Sequence, residues 1–269
     1  LIRKAKFKWE LGLNIYSNLT TVTELQDEKV RDFQDVNTII QVGHPLGEKY
    51  GYVVSGVVNT QDFNNNAMQQ NSGGSGSGWG SPVYADITGD GIIDTDDQTI
   101  IFNPQARMNG GLTTKLTYGY CDLYMLFRAS YGSDIYNQNL GELGRTGNLS
   151  RALLQKLGEE MWMPNNQDGT YVGSNSGFSD GFTSFLIEDA SYLKFSNLDF
   201  TFRFPQKWLN AVKLSGASLS YSLSNVATLS RYSWFDPDVN SGGNFRYYGT
   251  DRSAYPYSRT HMFTLRLTL

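Results

Sequence analysis

The chain has 269 residues, a length that is enough for one large domain or two ordinary ones. Its formal net charge is -4, and 39% of its residues are hydrophobic. No stretch approaches the roughly 18 apolar residues of a membrane helix, so helical spans are excluded while membrane-crossing strands are not. The mild acidity gives no reason to expect nucleic-acid binding, and Cys121, the single cysteine, excludes an intrachain disulfide. The abundance of Tyr, Phe and Gly is typical of an all-β protein.

Six ribbons of alternating apolar and polar residues run through the chain. Side chains in a strand alternate sides, so each ribbon has one apolar and one polar face. In the last ribbon Phe263, Leu265 and Leu267 share the apolar face with Leu269, and Arg266 lies on the other. Most ribbons exceed the usual 5 or 6 residues of a globular strand and match the roughly 9–11 of a membrane strand. The predicted ribbons cover residues 6–18, 107–118, 122–136, 191–204, 213–226 and 258–269.

The connections between the ribbons alternate in length. Ribbons two and three are joined by a turn at 118–120 and ribbons four and five by residues 205–212, whereas the other connections are long. Outer-membrane barrels show this asymmetry, with short periplasmic turns and long external loops. The pattern therefore predicts a membrane wall whose last residue lies on the periplasmic side. The candidate lumen-facing residues are Lys115, Arg128, Asp199, Arg203 and Arg266.

The long segments carry weaker signals. Residues 43–58 are predicted to be extended and punctuated by turns, and the Gly/Ser-rich residues 71–80 to form a mobile loop tip. A helix is predicted from Asn148 to Met163, with Ser150 as its cap and Pro164 as its stop. The chain opens in strand-like sequence without an initiator Met, which favours processing or a fragment of a longer protein.

Residues 86–97 have the ligand spacing of a calcium loop of the EF-hand type. Asp replaces the usual Glu at the twelfth position, and Gly91 lies where such a loop must turn sharply. The sequence predicts a structural Ca²⁺ site that stiffens a long external loop. The alternative is an acidic surface turn. The candidate ligands are Asp86, Thr88, Asp90, the carbonyl of Ile92, Asp94 and Asp97.

Aromatic residues are frequent in the long segments, where they could contact a substrate or a partner protein. The alternatives are an interfacial aromatic girdle and ordinary loop packing. Trp208, in a short connection, fits a periplasmic girdle better. The candidate contact residues are Trp79, Trp162, Trp234, Tyr247 and Tyr248.

No catalytic constellation is visible, so the chain is not expected to be an enzyme. His44 and His261 lack a ligand-spaced partner, and neither a Gly-x-Ser-x-Gly elbow nor a phosphate-binding loop occurs. No catalytic residue and no catalytic cofactor is therefore predicted.

Several blocks resemble the SusC/RagA family of TonB-linked outer-membrane transporters and keep the family's order. They cover the chain from about Gly43 to its end, and Leu269 stands where the family usually has Phe. The matching blocks are the calcium-like stretch followed by Asn103-Pro104 and Gly110-Gly111, residues 127–137, residues 185–198, Asn225, Asp236-Pro237-Asp238, Tyr255-Pro256 and Arg259-Thr260.

The resemblance implies that residues 1–269 are the C-terminal strands of a large antiparallel transmembrane β-barrel with long extracellular loops, without the plug and N-terminal strands. It implies import of oligosaccharides or peptides across a bacterial outer membrane. The implied partners are a SusD-like lipoprotein, outer-membrane lipid and the TonB complex, which would be reached through the missing N-terminal part. The alternative from another class is a soluble, calcium-stabilised β-sandwich that binds carbohydrate.

Overall fold

The computed structural model describes residues 2–4, 6–26, 29–32, 37–58, 80–143, 155–171, 182–241 and 247–269. Its strands, in chain order, are β1 (Ile2–Lys4), β2 (Phe7–Tyr16), β3 (Lys29–Asp32), β4 (Thr38–Gln41), β5 (Lys49–Gly51), β6 (Val54–Val57), β7 (Pro82–Tyr84), β8 (Thr99–Phe102), β9 (Met108–Tyr118), β10 (Cys121–Tyr131), β11 (Asp134–Asn137), β12 (Ile187–Asp189), β13 (Tyr192–Arg203), β14 (Gly216–Ser230), β15 (Thr250–Asp251) and β16 (Thr260–Thr268). The helices are α1 (Gln138–Leu143), α2 (Gln155–Glu160) and α3 (Gln206–Leu209), with 3₁₀ turns at Thr95–Asp97, Ser184–Leu186 and Asn210–Val212.

Seven strands form one antiparallel sheet, which we call the wall sheet, in the order β1-β2-β9-β10-β13-β14-β16. All six predicted ribbons contribute a strand to it, so the all-β prediction is confirmed. Sequential long strands are hydrogen-bonded neighbours, as in a β-meander. Within the described ranges, no helix is both long and apolar enough to cross a membrane.

The register of the wall sheet separates an apolar from a polar face, because directly paired residues place their side chains on the same side. Lys115, Tyr124 and Asp199 form one polar row, and Arg203, Ser218 and Arg266 form another. With Arg128, which is in phase with Tyr124 on β10, the five predicted lumen-facing residues share this face. The opposite face is strongly exposed, with Leu13 67% and Phe263 74% accessible.

Short and long connections lie at opposite ends of the wall sheet, as predicted. The β13–β14 connection ends beside the last residue, since the Ser215 hydroxyl donates to a terminal oxygen of Leu269 at 2.9 Å. The β9–β10 turn lies at the same end, since the Tyr120 carbonyl accepts the N–H of Arg203 at 2.8 Å. Trp208 packs at this end, with its ring centroid 6.2 Å from those of Phe202 and Phe204. That this aromatic group belongs to a periplasmic girdle stays a prediction.

A β-bulge at Ser196 interrupts the alternation of β13. On β10, Leu126 pairs with Asn197 and Phe127 pairs with Phe195, so Ser196 is the extra residue. The bulge shifts the alternation of side chains along the strand. Asp199 and Lys194 both lie on the polar face, although one has an odd and the other an even residue number. Without it, strict alternation would carry Lys194 to the apolar face.

Two sequence predictions need correction. The third ribbon does not run to Tyr136: β10 ends at Tyr131, Gly132 turns the chain with φ of 82°, and β11 joins another sheet. Of the helix predicted from Asn148 to Met163, residues 148–154 lie outside the described residues, α2 ends at Glu160, and Met161 makes a parallel bridge to Tyr171 instead of continuing the helix. Ser150, the predicted cap, and Gly/Ser-rich residues 71–79 lie outside the described residues.

The long connections form what we call the loop layer, comprising the described residues of 17–107, 132–191 and 231–259. Three small sheets build it: β3-β4-β5-β8, β6-β7 and β12-β11-β15. Buried apolar clusters also lie here, one around Met161, Tyr171 and Leu186 and another around Ile135, Ala190 and Tyr232. The core of this chain is therefore in its loop layer, because the wall sheet leaves its apolar face exposed.

Candidate functional site in the loop layer

A junction around the buried Asn137 ties three segments of the loop layer together. The Nδ2 of Asn137, which is fully buried, donates to Oε1 of Glu188 at 2.8 Å. Glu188 in turn accepts the backbone N–H of Ser233 at 2.6 Å and the Ser233 hydroxyl at 2.7 Å. Glu188 is half-buried, and these donors offset the hydration that its carboxylate has lost. The junction thus fixes β11, β12 and the segment after β14 relative to one another.

A second junction attaches the turn after β15. The Tyr232 hydroxyl donates to Asp251 at 2.7 Å, and Asp251 also accepts the backbone N–H of Ala254 at 3.1 Å. Burial, together with the hydrogen bond to the Asp251 carboxylate, raises the pKa of Tyr232 far above its usual range. Tyr232 therefore stays a neutral donor and holds residues 251–254 in place.

The same turn borders a cavity of about 350 Å³, which we call the loop cavity. Oδ1 of Asn139, on α1, accepts the backbone N–H of Ser253 at 2.7 Å and the Ser253 hydroxyl at 3.3 Å. Ser253 has φ of 56°, a left-handed conformation that Asn139 stabilises. The loop cavity is lined by Asn139, Glu142, Trp234, Phe235, Ser253, Ala254, Tyr255 and Pro256.

An ion-pair cluster joins the loop layer to the polar face of the wall sheet. Nζ of Lys194 lies 2.7 Å from a carboxylate oxygen of Asp236 and 3.1 Å from one of Asp238. Arg128 reaches Asp238 at 3.4 Å and donates from Nε to the Ser196 hydroxyl at 3.1 Å. Lys194 is 2% exposed and Asp236 is 6% exposed, so their pairing is shielded from water. The Asp-Pro-Asp motif thus anchors the segment after β14 beside the bulge.

The carboxylates of the calcium-type loop hold its own backbone. Asp97 is fully buried and accepts N–H groups from Ile87, Thr88 and Asp94. These backbone donors, that of Asp94 first, lower the pKa of Asp97 below its usual range. Asp86 accepts N–H groups of the loop in the same way.

The oxygen-rich ligand set of residues 86–97 suits a hard cation chemically. In the part of the chain that the structure describes, no three His, Cys, Asp or Glu side chains are arranged to hold a metal ion. Calcium binding therefore stays a prediction, and the observed geometry resembles the alternative, an acidic turn closed by carboxylate–backbone hydrogen bonds.

The predicted aromatic contact residues do not form one group. Trp79 lies outside the described residues. Trp162 is 4% exposed, so its ring faces are covered by protein, which argues against ligand contact there. Trp234 and Tyr247 are half-buried, and Tyr248 is 42% exposed. Of the four that the structure describes, only Trp234 lines the loop cavity.

Sequence reasoning assigned no role to Asn137, Asn139, Glu188, Tyr232 or Asp251. Their partners are distant along the chain, so no local spacing reveals them. The one available signal was the position of Asn137, Glu188 and Asp236 inside blocks that resemble the SusC/RagA family. The structure brings those blocks together.

No model of a known protein family matches the chain. It is 29% identical over its whole length to TonB-dependent receptor P3 of Formosa agariphila, covering 27% of that receptor. It is 26% identical over 98% of its length to TonB-dependent receptor SusC of Bacteroides thetaiotaomicron, covering 24% of that protein. The chain thus spans about a quarter of the length of these curated relatives.

Solved structures of the RagAB peptide transporter share the fold. One superimposes with a TM-score of 0.77 at 19% identity, covering 99% of this chain and 27% of the other. Another, of the RagAB peptide importer in the open-open state, has a TM-score of 0.75 at 16% identity and covers 100% of this chain and 27% of the other. The similar proteins are named receptors and transporters rather than enzymes. By sequence, the chain is similar to a segment of TonB-dependent receptors of the bacterial outer membrane, SusC among them, and it shares its fold with the RagAB structures.

Proposed function

We propose that the full transporter imports nutrients, either oligosaccharides or peptides, across the outer membrane with energy supplied through TonB. This chain would provide C-terminal wall strands and external loops, while the plug and the TonB-contacting segment would lie in the remainder of the protein. A SusD-like surface lipoprotein would close the external face. We also propose that the protein is not an enzyme, because the similar proteins are named receptors and transporters.

The observation that carries this proposal is the continuous register of the wall sheet. A row such as Trp9, Leu116, Leu123 and Phe200 runs across four strands on a face that nothing in the described part of the chain covers. In lipid such a face is stable, because strand backbones are paired and apolar side chains meet acyl chains. In water it would be an aggregation-prone surface.

The polar face fits the wall of an aqueous or plugged lumen. At the end with short connections, Arg203 and Asp122 form a salt bridge at 2.9 Å, and the Thr117 hydroxyl donates to Asp122 at 2.7 Å. At the other end, the Lys194 cluster anchors the loop layer. We propose that Lys115, Arg128, Asp199, Arg203 and Arg266 point into the lumen.

The soluble β-sandwich alternative is disfavoured by the same register. A sandwich buries the apolar face of each sheet against a second sheet. Here the apolar face of the wall sheet is the exposed one, and the three small sheets belong to the loop layer. If the purified chain stayed monomeric in buffer without detergent, the sandwich would regain support.

The proposal is tested by uptake in the native bacterium. Deletion of the receptor gene and deletion of tonB should each abolish growth on the transported nutrient, and the intact receptor gene should restore growth only when tonB is present. Affinity purification of the receptor should recover a surface lipoprotein. If growth on every candidate glycan and peptide is the same with and without tonB, the transport mechanism is refuted.

A further inference from the structure

We infer that a notch in the apolar face of the wall sheet is a binding site for one acyl chain of an external-leaflet membrane lipid. The inference rests on the membrane wall proposed above and adds to it a defined site where a lipid is retained. The notch, which we call the wall notch, has a volume of about 340 Å³ and extends across β2, β9, β10 and β13.

The floor of the wall notch consists of two small residues on neighbouring strands. Gly110 on β9 pairs directly with Ala129 on β10, so both belong to the apolar face at the same level. The row continues to Ile15 on β2 and to Leu193 on β13, and these two larger side chains are the lateral walls. The sequence thus leaves out side-chain volume at two adjacent positions of an otherwise bulky apolar row.

The rows on either side of the floor are the other two walls. Leu112 pairs with Phe127 on the side of the short connections, and Met108 pairs with Tyr131 on the side of the loop layer. Each row is two residues away from the floor along its strands, which is about 7 Å. The wall notch is therefore enclosed on four sides and open only away from the sheet.

This shape matters because the hydrophobic effect does not select a site within a bilayer. Lipid tails are as apolar as the wall, so close packing determines which chain stays bound. A chain on a smooth wall has protein on one side only, whereas a chain in the wall notch has protein around it and gains more dispersion energy. The wall residues Ile15, Met108, Tyr131 and Leu193 are between 46% and 62% exposed, so the described chain does not fill the space itself.

The chemistry of the wall notch fits a plain hydrocarbon. Its walls are apolar, and the only hydrogen-bonding side-chain group on this face of the described lining is the hydroxyl of Tyr131. Asn109 and Arg128 also border the wall notch, but alternation places their side chains on the polar face of the sheet. A docking site for a protein usually has a polar rim, which is missing here. An acyl chain needs no polar partner.

The position of the wall notch favours a lipid of the external leaflet. Tyr131 is the last residue of β10 before the loop layer, and the floor lies one row inward from it. Tyrosines are enriched where the hydrocarbon of a membrane meets the headgroups. A headgroup at the level of Tyr131 would thus place the first methylene groups of its acyl chain in the wall notch.

The test uses full-length transporter purified from native outer membranes in a mild detergent. Native mass spectrometry counts the lipids that remain bound, and a delipidated sample is then titrated with dipalmitoyl phosphatidylethanolamine as the probe. Ala129→Leu fills the floor, and Leu193→Ala removes a lateral wall. The matched controls are Ala227→Leu and Leu229→Ala, at exposed positions of the same face that do not line the wall notch.

We expect the wild type and both controls to retain one lipid through purification. Both notch variants should bind the probe about tenfold more weakly, because the chain loses close packing on one side. Uptake that still requires tonB would show that the variants are folded.

Equal lipid binding in the notch variants and in their controls would overturn the inference. A change in oligomeric state by mass photometry, with lipid binding unchanged, would also overturn it, because the wall notch would then be a contact between two copies of the protein. In both cases a protein that is still extracted from the outer membrane only by detergent would leave the membrane wall standing. Recovery of the full-length protein from buffer without detergent and without bound lipid would instead refute the membrane wall itself.

Discussion

Replacing Lys194 with Met should release the segment after β14 from the wall sheet. Lys194 is the shared cation of Asp236 and Asp238, at 2.7 and 3.1 Å, and its side chain is 2% exposed. Met fills a similar volume but leaves the buried Asp236 carboxylate without its counter-ion. Removing one partner of a buried pair costs about 3–5 kcal/mol.

The assay is hydrogen exchange of full-length transporter in detergent, followed by mass spectrometry of peptides covering residues 231–241. If opening of this segment becomes easier by about 3 kcal/mol, its protected amides should exchange roughly a hundredfold faster. Adding Asp236→Asn to Lys194→Met should recover much of the protection, because no unpaired charge remains buried. The matched control is Lys8→Met, whose partner Glu10 is on the same face but exposed, and it should change protection little. Equal exchange in wild type and Lys194→Met would refute the reasoning that the ion pair anchors the loop.

Three further predictions concern the wall and the calcium-type loop. Phe263→Lys, on the apolar face of β16, should cost about 2–4 kcal/mol of folding free energy in liposomes, whereas Thr264→Lys on the polar face should cost clearly less, and similar losses in urea titrations would contradict the facing. The pKa of Asp97 is lower in the folded chain than in the unfolded chain, so its hydrogen bonds stabilise the loop fully above the unfolded pKa. This stabilisation is lost as the pH falls through the folded pKa, so cleavage by pepsin within residues 86–97 should rise below about pH 4. The Asp97→Asn variant should be cleaved at every pH tested. Asp90→Ala should lower calcium binding measured by lanthanide luminescence, and an unchanged signal would reject the predicted site.

The wall sheet was predictable because its information is local. A strand with one apolar and one polar face is recognised in sequence by the alternation of apolar and polar residues. Because neighbouring strands must present their apolar residues on the same face, the pairing of Leu219 with Leu265 follows from that alternation. The bulge at Ser196 was not predictable from β13 alone. The extra residue is recognised only from the pairing of β13 with β10, where Phe127 lies opposite Phe195 and the two rings stack with centroids 4.6 Å apart.

The loop layer was hardly predictable, because its contacts join residues that are far apart in the chain. Asn139 and Ser253 are separated by 114 positions, and neither has a distinctive neighbourhood in sequence. Trp162 illustrates the same limit, since a tryptophan in a long connection can be either a ligand contact or part of a core. Only the burial of Trp162 in the folded connection decides between them.

The bulge at Ser196 also determines where β13 can change length. Deleting a residue between Leu198 and Phe202 would exchange the two faces for the rest of the strand, placing charge on the apolar face and aromatic rings on the polar face. Deleting Ser196 would leave the facing on both sides intact, because this residue has no partner of its own on β10. Similar proteins that differ in length within this strand should therefore differ at the bulge. Ser196 is therefore a position in β13 where a residue can be removed without exchanging the apolar and polar faces of the strand.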